Sequence, residues 1–128
     1  MFGSPTPILR SFDDARARAF YLDFLGFDLL YEHRFDDTAP LYMAVGKGGC
    51  EIHLCEHYGD ASPGATVRIP VDDVGAYMAV LRAKKFANAK PGEPEQMEWG
   101  ERLITIADPF GNRLTSYTPQ TDGEVTDR

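Results

Sequence analysis

Glu51, His53 and Cys55 occupy alternate positions of the run Cys50-Glu51-Ile52-His53-Leu54-Cys55. Side chains of an extended strand alternate between its two faces. A carboxylate, an imidazole and a thiol therefore share one side, and Ile52 and Leu54 share the other. Two readings of this row are open. Glu51 and His53 have the spacing of a metal-ligand pair on a strand, or His53 is a polar residue lining a binding surface. Cys55 is a nucleophile only if its surroundings lower its pKa, and nothing in the sequence indicates that they do. His57 lies just beyond the strand, and His33 beside Glu32 reads as a surface residue. The chain has no Ser/His/Asp order, no glycine-rich phosphate loop and no CxxC motif, so the standard nucleophilic and phosphate chemistries have no carrier.

Aromatic and charged residues offer a different chemistry. Trp99, the only tryptophan, stands in a polar, proline-flanked stretch. It is either a core residue or a stacking plate for a planar heteroaromatic ligand. Phe35, Tyr42 and Phe110 add to such a plate or pack in hairpins. Asp60 and Glu56 supply negative charge for a cationic ligand. Arg10, Arg68, Arg102 and Arg113 oppose this, because cations on the same surface would repel such a ligand and suit an anionic or neutral one instead.

These side chains need a scaffold, and 128 residues with 43% hydrophobic content suffice for one domain without disulfides or metal. Twenty acidic against thirteen basic residues give a net charge of −7. That field repels a phosphate backbone and argues against nucleic acid as a partner. No apolar run reaches the ~20 residues of a membrane span, and no export signal opens the sequence. Cys50 and Cys55, on opposite faces and roughly 17 Å apart along a strand, are too distant for a disulfide. Free thiols fit a reducing cytoplasm.

The elements are expected in two rounds. Residues 6–12 form a strand, and Asp13 or Asp14 caps a helix that Gly26 ends. Strands follow at 27–35, 41–45 and 50–55, with Gly46, Gly48 and Gly49 making the hairpin turn before the last. Residues 59–65, with Gly59, Pro63 and Gly64, read as a linker. The order then starts again. A strand spans 66–71, and Asp72 or Asp73 caps a helix whose apolar face is Val74, Tyr77, Met78, Val80 and Leu81. A weak strand follows at 86–90, a loop at 91–98, strands at 102–107 and 113–117, and a frayed tail at 118–128. The fold class is α+β: two βαβββ modules, about 6–58 and 66–117, forming a curved mixed sheet with helices on its outer face.

Three pieces carry a family resemblance: Ala19-Phe20-Tyr21 with Leu25-Gly26-Phe27, Trp99-Gly100-Glu101-Arg102, and Asp108-Pro109-Phe110-Gly111-Asn112-Arg113-Leu114. Over residues 6–117 the chain resembles the glyoxalase/bleomycin-resistance superfamily, also called the vicinal-oxygen-chelate fold. The Trp-Gly-x-Arg piece is similar to the bleomycin-resistance branch, although Glu98 stands where that branch usually has proline. Members of the branch bind the drug unaltered, usually as dimers. Enzymes of the superfamily use a divalent metal, and the resemblance puts its ligand positions at Thr6, His53, Thr66 and Thr115. Neutral hydroxyls are weak ligands beside carboxylate or imidazole, so the resemblance implies a binder with no metal, cofactor or catalytic residue. The expected function is sequestration of a bleomycin-like antibiotic by a cytoplasmic homodimer. Its ligand contacts are expected from Trp99, Arg102, His53, Phe35, Tyr42, Glu51 and Asp60. The alternative is a lyase or dioxygenase of the same fold with an atypical site around His53, Glu51 and Cys55.

Overall fold

The computed structural model describes residues 1–34, 36–84, 95–96 and 102–118. The element order is β1 (Ile8–Arg10), α1 (Asp14–Ala17) continued by a π-helical stretch (Arg18–Phe24), β2 (Asp28–Arg34), β3 (Leu41–Lys47), β4 (Cys50–Cys55), β5 (Thr66–Pro70), α2 (Val74–Ala83), β6 (Glu95–Gln96), β7 (Arg102–Ala107) and β8 (Arg113–Thr118). The α+β class and the strand–helix–three-strand order of both rounds are present. Each round makes one four-stranded mixed sheet, ordered β1-β4-β3-β2 and β5-β8-β7-β6. In both, the first strand runs parallel to the last and the other pairings are antiparallel.

The chain divides into two compact units, Met1–Ala65 with Asp108–Asn112, and Thr66–Ala107 with Arg113–Arg128. In the first, Asp13 caps α1 by accepting from the Arg16 N–H at 3.0 Å. The helix then widens, and the Leu25 N–H donates to the Phe20 carbonyl five residues back. The wider turn lets the adjacent Phe20 and Tyr21, with Phe24 and Leu25, all enter the core. The expected helix is therefore present but partly in a form that the apolar spacing does not signal. Gly26 ends it at φ 83°, a left-handed conformation costly for any residue with a Cβ. Leu9, Met43, Val45, Ile52 and Leu54 supply the sheet side of this core.

Gly46 departs from the expected hairpin turn. It is an interior residue of β3, paired with Asp28 and Glu51, and the turn lies beyond Lys47. A Cβ there would sit 2.9 Å from Leu30 Cδ1 and 3.1 Å from the Cys50 carbonyl oxygen. The glycine lets the side chain of Leu30, at an irregularity in β2, and the Cys50 carbonyl approach closely.

In the second unit Asp73 caps α2 through the Ala76 N–H at 3.1 Å, and Val74, Met78 and Leu81 are buried. Ile104 and Ile106 on β7 and Leu114 on β8 are buried with them. Glu95–Gln96 pairs with Leu103 and Arg102, which corrects the reading of 91–98 as loop throughout. The expected strand at 86–90 and nearly all of the tail lie outside the described residues. Among the described residues no helix is long and apolar enough to cross a membrane.

Candidate functional site

The first sheet has one face in the core and one open. Strand parity puts Glu51, His53 and Cys55 of β4 on the open face. Their partners there are Ile8 and Arg10 of β1, and Tyr42, Ala44 and Gly46 of β3. Tyr31, paired with Ala44, adds a ring from the edge strand β2.

His53 is the centre of this face. Its Nε2 lies 2.7 Å from Glu51 Oε2, and its Nδ1 is 2.5 Å from the Tyr42 hydroxyl. A carboxylate only accepts, so the network assigns the hydrogen of the neutral ring to Nε2. Nδ1 is left to accept from the Tyr42 O–H. The Tyr31 hydroxyl lies further off, 3.4 Å from Nε2. Both tyrosine rings meet the imidazole edge-on, with centroids 5.7 Å and 5.2 Å away. Burial raises the Tyr42 pKa, helped by the neighbouring Tyr31, Cys55, Asp60 and Glu51. Tyr42 thus stays a neutral hydroxyl.

Cys55 is buried and donates to Asp60 Oδ2 at 2.9 Å, while its sulfur accepts from the His57 N–H at 3.3 Å. Burial and the bond to Asp60 both raise its pKa, the reverse of what a nucleophile needs. Cys50 and Cys55 are both free thiols.

A divalent metal would need more than His53. Thr66 Oγ1 accepts from Arg113 Nε at 3.1 Å, which sets a cation beside one expected ligand position. Thr115 Oγ1 lies 2.8 Å from Thr105 Oγ1, so that hydroxyl is already paired. Thr6 offers a third neutral hydroxyl. An imidazole engaged at both nitrogens plus three hydroxyls does not fit the donor set a divalent cation requires. Among the described residues no group of three or more His, Cys, Asp or Glu side chains could hold a metal ion.

Of the expected contacts, Tyr42, Glu51 and His53 come together directly, and Asp60 joins the same face through Cys55. Arg102 belongs to the second unit, on the face of β7 opposite Thr105, with its guanidinium beside Gly75 of α2. Trp99 and Phe35 lie outside the described residues. Sequence reasoning missed Tyr31, Phe12 and Tyr58. Tyr31 shares the open face only because the irregularity between Leu29 and Tyr31 shifts the register, which no local pattern reveals. Phe12 and Tyr58 are exposed aromatics flanking Arg10.

The Asp-Pro-x-Gly-Asn turn does more than join two strands. Asp108 Oδ1 accepts from the N–H groups of Phe110 and Asn112, and Oδ2 accepts from Asn112 Nδ2 and the Tyr21 hydroxyl. Asn112 Nδ2 also donates to the Arg10 carbonyl at 2.8 Å. Burial, then the charge and hydrogen bond of Asp108, push the Tyr21 pKa far above the ordinary tyrosine value.

A search of curated proteins gives no match. Solved structures share the fold at low identity. The bleomycin resistance determinant encoded on the transposon Tn5 is 19% identical, with a TM-score of 0.70 over 94% of this chain and 100% of that one. A bleomycin-binding protein complexed with bleomycin is 22% identical, with a TM-score of 0.68 over 94% and 100% of the two chains. TnmS3, an antibiotic binding protein from Streptomyces sp. CB03234, is 22% identical, with a TM-score of 0.68 over 94% and 99%. The profile described as "Glyoxalase superfamily protein" matches residues 1–124, nearly the whole sequence, and the chain belongs to that superfamily.

Proposed function

We propose that this protein binds an antibiotic-like small molecule and sequesters it without chemical change. The carrying observation is the His53 cluster. Its imidazole is held at both nitrogens and its neighbours are aromatic; separately, Thr66 and Thr115, two positions to which the resemblance assigns metal ligands, have hydroxyls engaged by other groups. Sequestration needs affinity and slow release, and no acid, base or Lewis acid. The solved relatives that bind bleomycin or another antibiotic support the class of ligand. Trp99 and Arg102 remain proposed contacts from the resemblance.

The test is a titration of the protein with metal-free and copper-loaded bleomycin, followed by calorimetry and by the emission of Trp99, the single tryptophan. Saturable binding with unchanged drug recovered afterwards is the expected result. A turned-over product, or a tightly held stoichiometric transition metal in elemental analysis, overturns the reading.

We propose further that the working form is a homodimer. Strand β2 is the edge of its sheet and is exposed along its whole length, including Leu29, Leu30 and Tyr31. Three consecutive exposed apolar side chains on an edge strand are unfavourable in a lone chain. Sedimentation equilibrium should return about twice the chain mass, and a monomer at all concentrations would refute this.

A further inference from the structure

Among the described residues Arg10 has no counter-charge, in a protein of net charge −7. Among the described residues no carboxylate lies within ion-pair distance of it, and its buried Nε has no hydrogen-bond partner. Arg18 shows the contrast, with Asp14 at 2.6 Å and Glu32 at 2.7 Å. Asp60, the acid nearest in the network, is taken up by the Cys55 thiol and stands 3.8 Å from His57 Nδ1. A guanidinium N–H buried without an acceptor is unfavourable unless something else pairs with it.

Its surroundings describe that missing partner. The Arg10 Cζ lies 4.7 Å from the ring centre of Phe12 and 5.6 Å from that of Tyr58. Both rings are largely exposed, at 55% and 86%, although Phe12 also meets the buried Phe110 edge-on with centroids 6.1 Å apart. They are flat apolar surfaces close to a planar cation, suited to a flat ring that carries an anionic group. The base of the arrangement is fixed. The Arg10 carbonyl accepts from Asn112 Nδ2, the next N–H donates to the Cys55 carbonyl at 3.0 Å, and neighbouring Leu9 is in the core. The guanidinium therefore leaves the backbone from a set point on the same open face as His53.

We infer that Arg10, Phe12 and Tyr58 form a subsite for a carboxylate attached to a planar ring, so that the sequestered molecule is anionic at this end. The inference rests on the binding reading above and adds the ligand's charge. It also decides between the cationic and anionic ligands that the sequence leaves open.

Naphthalene-2-carboxylate and naphthalene-2-carboxamide are the probes, since they differ in charge and little in shape. Calorimetry on the full chain should show the carboxylate binding roughly tenfold more tightly than the amide, as expected of a charge-assisted bond. Arg10→Gln should bring the two probes level, and Arg10→Lys should keep part of the preference. Raising salt from about 0.05 to about 0.5 M in the unmodified protein should weaken the carboxylate alone, a readout that needs no variant to fold. Equal binding of the probes, binding of neither, or a preference that survives Arg10→Gln overturns the subsite. Bleomycin titrated in parallel separates the two ideas. Probes bound equally with the drug still captured refutes the Arg10 subsite alone. An Arg10-dependent carboxylate preference without drug capture refutes the antibiotic reading alone.

Discussion

Two carboxylate-centred networks in the same unit use nearly the same residue types to different ends. Asp108 is 6% exposed and accepts four hydrogen bonds, one from a tyrosine 87 residues away in sequence. Glu51 keeps 44% of its side chain exposed and accepts from one imidazole, which in turn accepts from a tyrosine. Residue identity does not distinguish these networks; burial and saturation do. Around Asp108 both carboxylate oxygens accept two hydrogen bonds each from buried donors, although the Asn112 Oδ1 is left without a partner, so removing the carboxylate leaves buried groups orphaned. Around His53 water reaches the rim, so a lost partner is replaced by solvent at small cost. The first network holds the fold and the second is free to meet a ligand. Arg10 joins them: its carbonyl is bound by the Asp108–Asn112 turn, while its guanidinium stands on the open face.

The comparison breaks most visibly at Asp108. Asp108→Ala leaves the Tyr21 hydroxyl, two backbone N–H groups and one Asn112 hydrogen without an acceptor. With each buried orphan costing ~1–3 kcal/mol, partly relieved by relaxation, a loss of about 4 kcal/mol is expected in urea denaturation. Tyr21→Phe removes one bond to a charged acceptor and should cost about 2 kcal/mol. Its pH dependence has a definite sign. The folded-state pKa of Tyr21 is raised, so its contribution is whole below the ordinary tyrosine value near ~10 and falls as pH rises above it. Denaturation midpoints at about pH 8 and about pH 10.5 should fall further for the parent protein than for Tyr21→Phe. Equal falls would show that Tyr21 ionises as readily folded as unfolded.

The sequence discloses the parts of this scheme that are local. Asp13 and Asp73 are recognisable as caps because a cap acts on N–H groups three residues away. The alternation of Cys50–Cys55 assigns His53 and Glu51 to one face without further help. What is hidden depends on distant contacts. Gly46 carries the local signature of a turn, but its cause is Leu30 on another strand. The turn motif at Asp108 advertises a bend and conceals its bond to Tyr21. The π-helical stretch follows from burying adjacent rings, which helical periodicity does not encode. Arg10 is visible as a charge from the start. That no described acid pairs with it is knowable only from the fold.

On the open side the effects move from stability to affinity. His53→Ala removes the residue that holds Tyr42 and Glu51 in place and should lower affinity for the bound drug roughly tenfold, or ~1.4 kcal/mol. Its denaturation midpoint should fall by less than that of Asp108→Ala, since its partner Glu51 is 44% exposed and can turn to water. A stability loss comparable with that of Asp108→Ala, without an affinity change, would move His53 to the structural side of the comparison.

The finest test is Glu51→Gln. The pair is partly exposed, so charge removal should alter stability by no more than ~0.5 kcal/mol. The effect sought is on the ring itself. Glu51 can only accept, which keeps the imidazole hydrogen on Nε2 and makes Nδ1 the acceptor for Tyr42. A glutamine can present either an oxygen or an N–H to Nε2, so the constraint is lifted while the shape is kept. Nitrogen-15 NMR of the neutral His53 ring should show the Nε2–H tautomer in the parent protein and a mixture in Glu51→Gln. In the variant Tyr42 then donates in one population and accepts in the other, so its hydroxyl presents two faces to a ligand. A single Nε2–H tautomer in both proteins would mean that Tyr42 fixes the ring. Glu51 would then be a surface charge near the site and no part of the apparatus that orients His53.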